Sequence, residues 1–154
     1  MSQRKMLMGN QAMALGALRA GVRFVSGYPG TPSTEVLETC AKERGQQVYV
    51  EWSVNEKAAL EFGGGAAMTG GYSLVTMKQV GLNACADPAV TLSYVGIKGA
   101  LVLLVADDPG PISSQTEQDT RRFAGYSKIP VLDPSSVQEA YEMMTEAFAL
   151  SHEM

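Results

Sequence analysis

The chain has 154 residues, 45% of them hydrophobic and 18% charged, and carries a net charge of -4. That length and balance describe one globular domain able to bury a core, and they exclude a disordered chain. The acidic balance, with no clustered run of Lys and Arg, excludes a nucleic-acid-binding surface.

Residues 1–5 lead into a helix pattern with no long apolar core, which predicts no signal peptide, no membrane span and a cytoplasmic location. Residues 9–20 place apolar residues at helical spacing, Gly21 supplies the C-cap, and residues 22–26 read as a strand. Pro29-Gly30 is a turn, and Thr31 before Pro32 reads as an N-cap followed by the first position of a helix that runs to about Arg44. A second strand at 47–51 ends at Glu51 and hands over to a helix from about Val54 to Thr69. Ser53 with Glu56 three residues later is a capping box, in which the glutamate bonds back to the Ser53 amide. The interior run Gly63-Gly64-Gly65 costs on the order of 1 kcal/mol of helix stability per residue and marks a helix packed tightly on a sheet or on another chain.

Residues 72–77 form a third strand, and a helix of small apolar residues follows Lys78, interrupted at Asp87-Pro88. The unbroken apolar run 99–106 predicts a strand buried on both faces of a parallel sheet. A long polar loop covers 107–121, a short strand Ile129-Pro130-Val131-Leu132 comes next, and a helix over 135–150 has Glu139, Glu142 and Glu146 on its wet face. Helix and strand thus alternate about five times, which predicts an α/β fold with a doubly wound, mostly parallel sheet and helices on both faces. The chain shows no internal repeat, and it is expected to be a single domain from the N-terminal part of a longer protein.

The residue inventory narrows the chemistry. Cys40 and Cys85 have no second cysteine at metal or redox spacing and are expected to be buried and reduced, and an iron–sulfur cluster would need four thiolates. The single histidine, His152, argues against Ser/His/Asp and Cys/His catalysis and against a histidine zinc site. Carboxylates, hydroxyls, amides, Lys and Arg remain, or a cofactor. In a parallel sheet all strand-to-helix junctions share one edge, so residues 28–33, 53–56, 78–83 and 107–121 are expected to converge there and form a site. Neither G-x-G-x-x-G nor G-x-x-x-x-G-K-[ST] is present, so dinucleotide and P-loop nucleotide binding are unsupported.

Four blocks carry a resemblance: Gly27-Tyr28-Pro29-Gly30-Thr31-Pro32-Ser33, Glu51-Trp52-Ser53-Val54-Asn55-Glu56-Lys57, Thr76-Met77-Lys78-Gln79-Val80-Gly81-Leu82-Asn83, and residues 106–121. Together they resemble the N-terminal, pyrimidine-binding region of the indolepyruvate ferredoxin oxidoreductase alpha subunits, within the thiamine-diphosphate-dependent 2-oxoacid:ferredoxin oxidoreductases. The resemblance covers essentially all of this chain but only the first part of the family's chain. It implies that Glu56 bonds the ring nitrogen of thiamine diphosphate opposite the amino group and shifts the ring toward its imino tautomer. A carboxylate screened by Trp52 and the cofactor would hold a proton more readily, which suits that contact.

It further implies that Gly30, Thr31, Gln79 and Asn83 face the cofactor cleft, that Thr31 contacts the 2-oxoacid, and that Arg121 holds the substrate carboxylate as a planar bidentate donor. The plain alternatives are local capping for Glu56 and Thr31 and a solvated surface charge for Arg121 and Lys78. No metal ligand is expected in this chain. Mg²⁺ and the iron–sulfur clusters belong to absent parts, since the Gly-Asp-Gly…Asn pattern that would hold metal and diphosphate is missing. The expected partners are a complementary thiamine-diphosphate-binding domain or subunit in a homo- or hetero-oligomer, ferredoxin, a 2-oxoacid and coenzyme A. The expected reaction is oxidative decarboxylation to acyl-CoA, and the chain alone is expected to be inactive. Two other readings stay open: a ferredoxin-independent thiamine-diphosphate decarboxylase, and a non-catalytic assembly module.

Overall fold

The computed structural model describes residues 5–112 and 114–154, so Ser113 and the first four residues of the N-terminal segment lie outside the described residues. Four strands, β1 (Phe24–Gly27), β2 (Tyr49–Trp52), β3 (Tyr72–Lys78) and β4 (Ala100–Ala106), form one sheet in the order β2-β1-β3-β4. All three pairings are parallel, with Gly27 opposite both Trp52 and Thr76, and Lys78 opposite Ala106. The carboxyl ends of the strands therefore lie along one edge.

Helices cover both faces. One core unites α1 (Gly9–Ala20), α2 (Thr34–Glu43) and α7 (Val137–Glu153) with the sheet through Ala14, Val25, Val36, Leu74, Met144 and Phe148. The other unites α3 (Glu56–Met68), α4 (Gln79–Ala84) and α5 (Ala86–Val95) with the opposite face through Leu60, Val75, Met77, Leu82 and Ala89. The Gly63-Gly64 pair is what lets α3 sit so close. A Cβ on Gly63 would come within 2.5 Å of Val75 on the sheet, and one on Gly64 within 2.9 Å of Leu92 on α5. Gly21 ends α1 in the left-handed region at φ 92°, where its amide bonds back into the last turn.

Five local expectations are corrected. Thr31 is not an N-cap, and Pro32 is not the first residue of a helix: their peptide bond is cis, and α2 starts at Thr34. Residues 30–33 form a tight turn instead, closed by the Ser33 amide and hydroxyl, which both donate to the Gly30 carbonyl. Ser53 does not cap α3, because its hydroxyl donates to Glu51 while the side chain of Asn55 accepts from the Ala58 amide at 2.8 Å. Glu56 is thereby the first residue of α3 rather than the third. The helix after β3 breaks at Cys85, and Pro88 sits within the first turn of α5, where its missing N–H costs nothing.

β4 is an edge strand, with only Ala100 and Leu104 buried, and its apolar run reflects partial cover by helices on its two faces. Residues 129–132 pair with no described strand, because that stretch leaves α6 (Thr120–Ser127) and runs over the surface with Val131 and Leu132 exposed. No helix among the described residues is long and apolar enough to cross a membrane.

Candidate functional site

The parallel register brings the four polar junctions to the same edge. The first is the turn at 28–33. It is held from α1, where the Asn10 side-chain amide donates to the Pro32 carbonyl at 2.6 Å and to Glu35 at 2.9 Å. Thr34 completes it by accepting from the Gly30 amide at 3.0 Å. Within it Thr31 is exposed and Gly30 half-buried. A Cβ on Gly30 would lie 3.2 Å from Lys78 Cδ, so the absence of a side chain lets the lysine stem of the third junction lie along the first. Asn10 was not anticipated from the sequence, because a polar residue in the first turn of α1 carries no sign of the distant turn it holds.

Glu56 opens α3. It is half-buried, and its carboxylate is the charge best placed to meet the exposed amides of that helix start. Its side chain lies against Gly81 on α4: a Cβ there would approach Glu56 Cγ to 2.5 Å, Cδ to 2.8 Å and Oε1 to 2.7 Å. Cys85, at the break between α4 and α5, is buried beside Met77. Burial pushes its thiol up to about 12, with the negative charge of Glu56 adding to the effect. Glu51 is engaged locally, accepting from Tyr49 Oη at 2.6 Å and from Ser53 Oγ at 3.3 Å. Glu56 is therefore the junction carboxylate directed at α4. Trp52 is 40% exposed at the end of β2.

Gln79 and Asn83 sit one helical turn apart on α4 and reach the fourth junction. Gln79 is fully buried, and its Nε2 donates to the Thr116 carbonyl at 2.9 Å. Its Oε1 is buried and has no hydrogen-bond donor among the described residues. Asn83 is exposed and donates to Gln118 Oε1 at 2.8 Å. The far end of the loop is tied by Asp107, which accepts from the Thr120 amide at 2.8 Å and from the Thr120 hydroxyl.

Arg121 follows on α6, with its side chain 65% exposed. It forks onto Asp119, Nε to Oδ1 at 2.8 Å and Nη2 to Oδ2 at 3.3 Å, and reaches Asp133 at 3.3 Å. Asp119 raises the arginine's proton affinity further, and hydrogen bonding from Arg121 holds the Asp119 carboxyl below the usual carboxylate range. In this structure the guanidinium thus meets carboxylates of its own chain.

The residues present fit the aminopyrimidine of thiamine diphosphate. Glu56 offers a half-buried carboxylate acceptor, Gln79 has an amide oxygen without a donor among the described residues, and Gly30 and Gly81 let the Lys78 and Glu56 side chains lie close against the edge. Among the described residues no group of three metal-ligating side chains converges. Two shallow cavities lie at the opposite edge of the sheet, one lined by Met68, Val95, Gly96, Ile97 and Lys98, the other by residues 44–49, away from these groups.

Residues 15–154 match the family described as pyruvate flavodoxin/ferredoxin oxidoreductase, thiamine diP-binding. The indolepyruvate oxidoreductase subunit IorA of Pyrococcus abyssi is 48% identical over 150 residues, covering 97% of this chain and 23% of that protein. The 2-oxoglutarate synthase subunit KorA of Methanothermobacter thermautotrophicus is 33% identical, covering 99% of this chain and 43% of its own. The chain thus spans about a quarter of the length of the IorA relative. A solved 2-oxoglutarate:ferredoxin oxidoreductase from Magnetococcus marinus shares the fold, with a TM-score of 0.80 over 94% of this chain and 27% of that one, at 24% identity. With its four polar junctions on one edge and nearly its whole length matched, this chain belongs to the pyruvate flavodoxin/ferredoxin oxidoreductase thiamine diP-binding family.

Proposed function

We propose that this chain is the aminopyrimidine-side domain of a thiamine-diphosphate-dependent 2-oxoacid:ferredoxin oxidoreductase that acts on arylpyruvates such as indolepyruvate. The complete enzyme would convert arylpyruvate, coenzyme A and oxidised ferredoxin into aryl-acetyl-CoA, carbon dioxide and reduced ferredoxin. The higher identity to an indolepyruvate subunit than to a 2-oxoglutarate subunit supports the aryl substrate. When bound, thiamine diphosphate supplies an acidic thiazolium carbon that adds to the 2-oxo group and takes up the electron pair left by decarboxylation.

The observation that carries this reading is the placement of Glu56. Its carboxylate opens α3, rests on α4 at Gly81, and shares an edge with the 28–33 turn. There it accepts a hydrogen bond from, and shares a proton with, the ring nitrogen of the aminopyrimidine. Thr31 and Gly30 line the cleft from the first junction, with Thr31 offering a hydroxyl to the 2-oxoacid. Gln79 and Asn83 border it from α4, and Arg121 meets the substrate carboxylate once released from Asp119. Mg²⁺, the diphosphate and the iron–sulfur clusters are held by other parts of the assembly, in a cytoplasmic enzyme.

Glu56→Gln in the assembled enzyme tests the assignment. The fold should persist, and turnover should fall roughly a hundred- to ten-thousand-fold, the range for loss of a positioned proton-transfer group. Activity within a few-fold of wild type would sink it.

A further inference from the structure

Glu56 lies where a side chain on Gly81 would have to be, with Cγ, Cδ and Oε1 all within 2.8 Å of the Cβ that glycine lacks. Gly81 is a buried residue inside α4 and has no positive φ, so backbone freedom does not explain a glycine there. Nor does backbone crowding: the nearest atoms that a Cβ would meet all belong to the Glu56 side chain. The Cα of Glu56 is fixed by its position at the start of α3, which Asn55 caps. Its side chain has only a few staggered conformations, and the one observed needs the empty space over Gly81.

We propose that Gly81 is the positioning residue for Glu56, its missing side chain serving to seat the carboxylate on α4. This inference rests on the thiamine-diphosphate reading of the site. A methyl group at position 81 meets the flexible Glu56 side chain first, so α4 keeps its place and the carboxylate swings away. Gly64 provides the contrast. A Cβ there would press on Leu92, within 2.9 Å, in the packing of α3 on α5. A methyl at Gly64 therefore strains packing and leaves Glu56 alone.

The test compares Gly81→Ala, Gly64→Ala and Glu56→Gln in the complete protein assembled with its partner subunits. Calorimetric affinity for thiamine diphosphate with Mg²⁺, thermal unfolding, and kcat and KM for the 2-oxoacid are measured for each. Gly81→Ala should unfold at the wild-type temperature, bind the cofactor at least tenfold more weakly, and lose kcat at least tenfold with KM for the 2-oxoacid unchanged. Gly64→Ala should lower the unfolding temperature and leave affinity and kcat within twofold.

A cofactor analogue with carbon in place of the ring nitrogen removes the contact with Glu56 from the ligand side. Wild type and Gly81→Ala should bind that analogue equally. Unequal binding of the analogue, wild-type-like behaviour of Gly81→Ala, or its failure to fold each overturns the role of Gly81. If Glu56→Gln itself remains active, the cofactor reading falls instead, which keeps the two failures apart.

Discussion

Glu56 takes its position from a neighbour with no chemistry of its own. The Asn55 side chain accepts from the Ala58 amide and fixes where α3 begins, which sets the height of Glu56 above the sheet edge. Replacing an N-cap asparagine by alanine costs about 1 kcal/mol. Asn55→Ala should lower stability by that amount in urea unfolding of the chain, whereas Ser53→Ala should leave it within about 0.5 kcal/mol, the range for surface changes. Equal effects would return the cap to Ser53. The two thiols give a second check at this scale. Burial pushes both Cys40 and Cys85 up to about 12, so neither carries appreciable thiolate near neutral pH. Both should resist a thiol-reactive dye at pH 8 until the protein is unfolded, and rapid labelling of the native chain would contradict their burial.

At the level of elements, α7 is held by packing on the sheet. Phe148 is 1% exposed and stacks on Tyr72 of β3 with ring centroids 5.7 Å apart. Ser151 grips β4 through the Leu101 amide and carbonyl, at 2.9 and 3.0 Å. Phe148→Ala should therefore cost about 3–5 kcal/mol, measured by denaturant unfolding. The start of α7 responds to pH. The Ser135 hydroxyl and amide donate to Glu139 and hold its carboxyl below the usual range. A carboxyl lowered in the folded state adds stability above its unfolded value and loses it as pH falls through its folded value. The contribution is thus complete at neutral pH and disappears on the acid side of about pH 4. Ser135→Ala should flatten that acid decline in unfolding curves taken between about pH 3 and 6.

Taken as a whole, the molecule presents an edge of polar side chains without an enclosing wall among the described residues. Its α4 helix joins the two halves of that edge, with Gly81 against Glu56 and with Gln79 and Asn83 tied to the loop that leads to Arg121. A diphosphate with its Mg²⁺ leans on carboxylate oxygens, and among the described residues no group of three His, Cys, Asp or Glu side chains gathers to supply them. The 154-residue chain alone should give no measurable heat with thiamine diphosphate and Mg²⁺ in calorimetry. A tight one-to-one complex would contradict a cofactor shared between two domains.

Much of this architecture was determined by local pattern. Alternating helix and strand periods, glycines at element ends and polar junctions were enough for a parallel α/β sheet with its polar junctions on one edge, because each is set by residues adjacent in the chain. The match failed where competition between neighbours decided the outcome. Asn55 displaced Ser53 as the cap, residues 30–33 closed a turn before α2 could start, and residues 129–132 had strand-like side chains but no described strand beside them. Only the tertiary structure could place Asn10 under the Pro32 carbonyl, tie Gln79 to Thr116, or seat Glu56 on Gly81. Those contacts depend on how far apart packed helices and loops come to rest, and no local spacing of residue types encodes that distance.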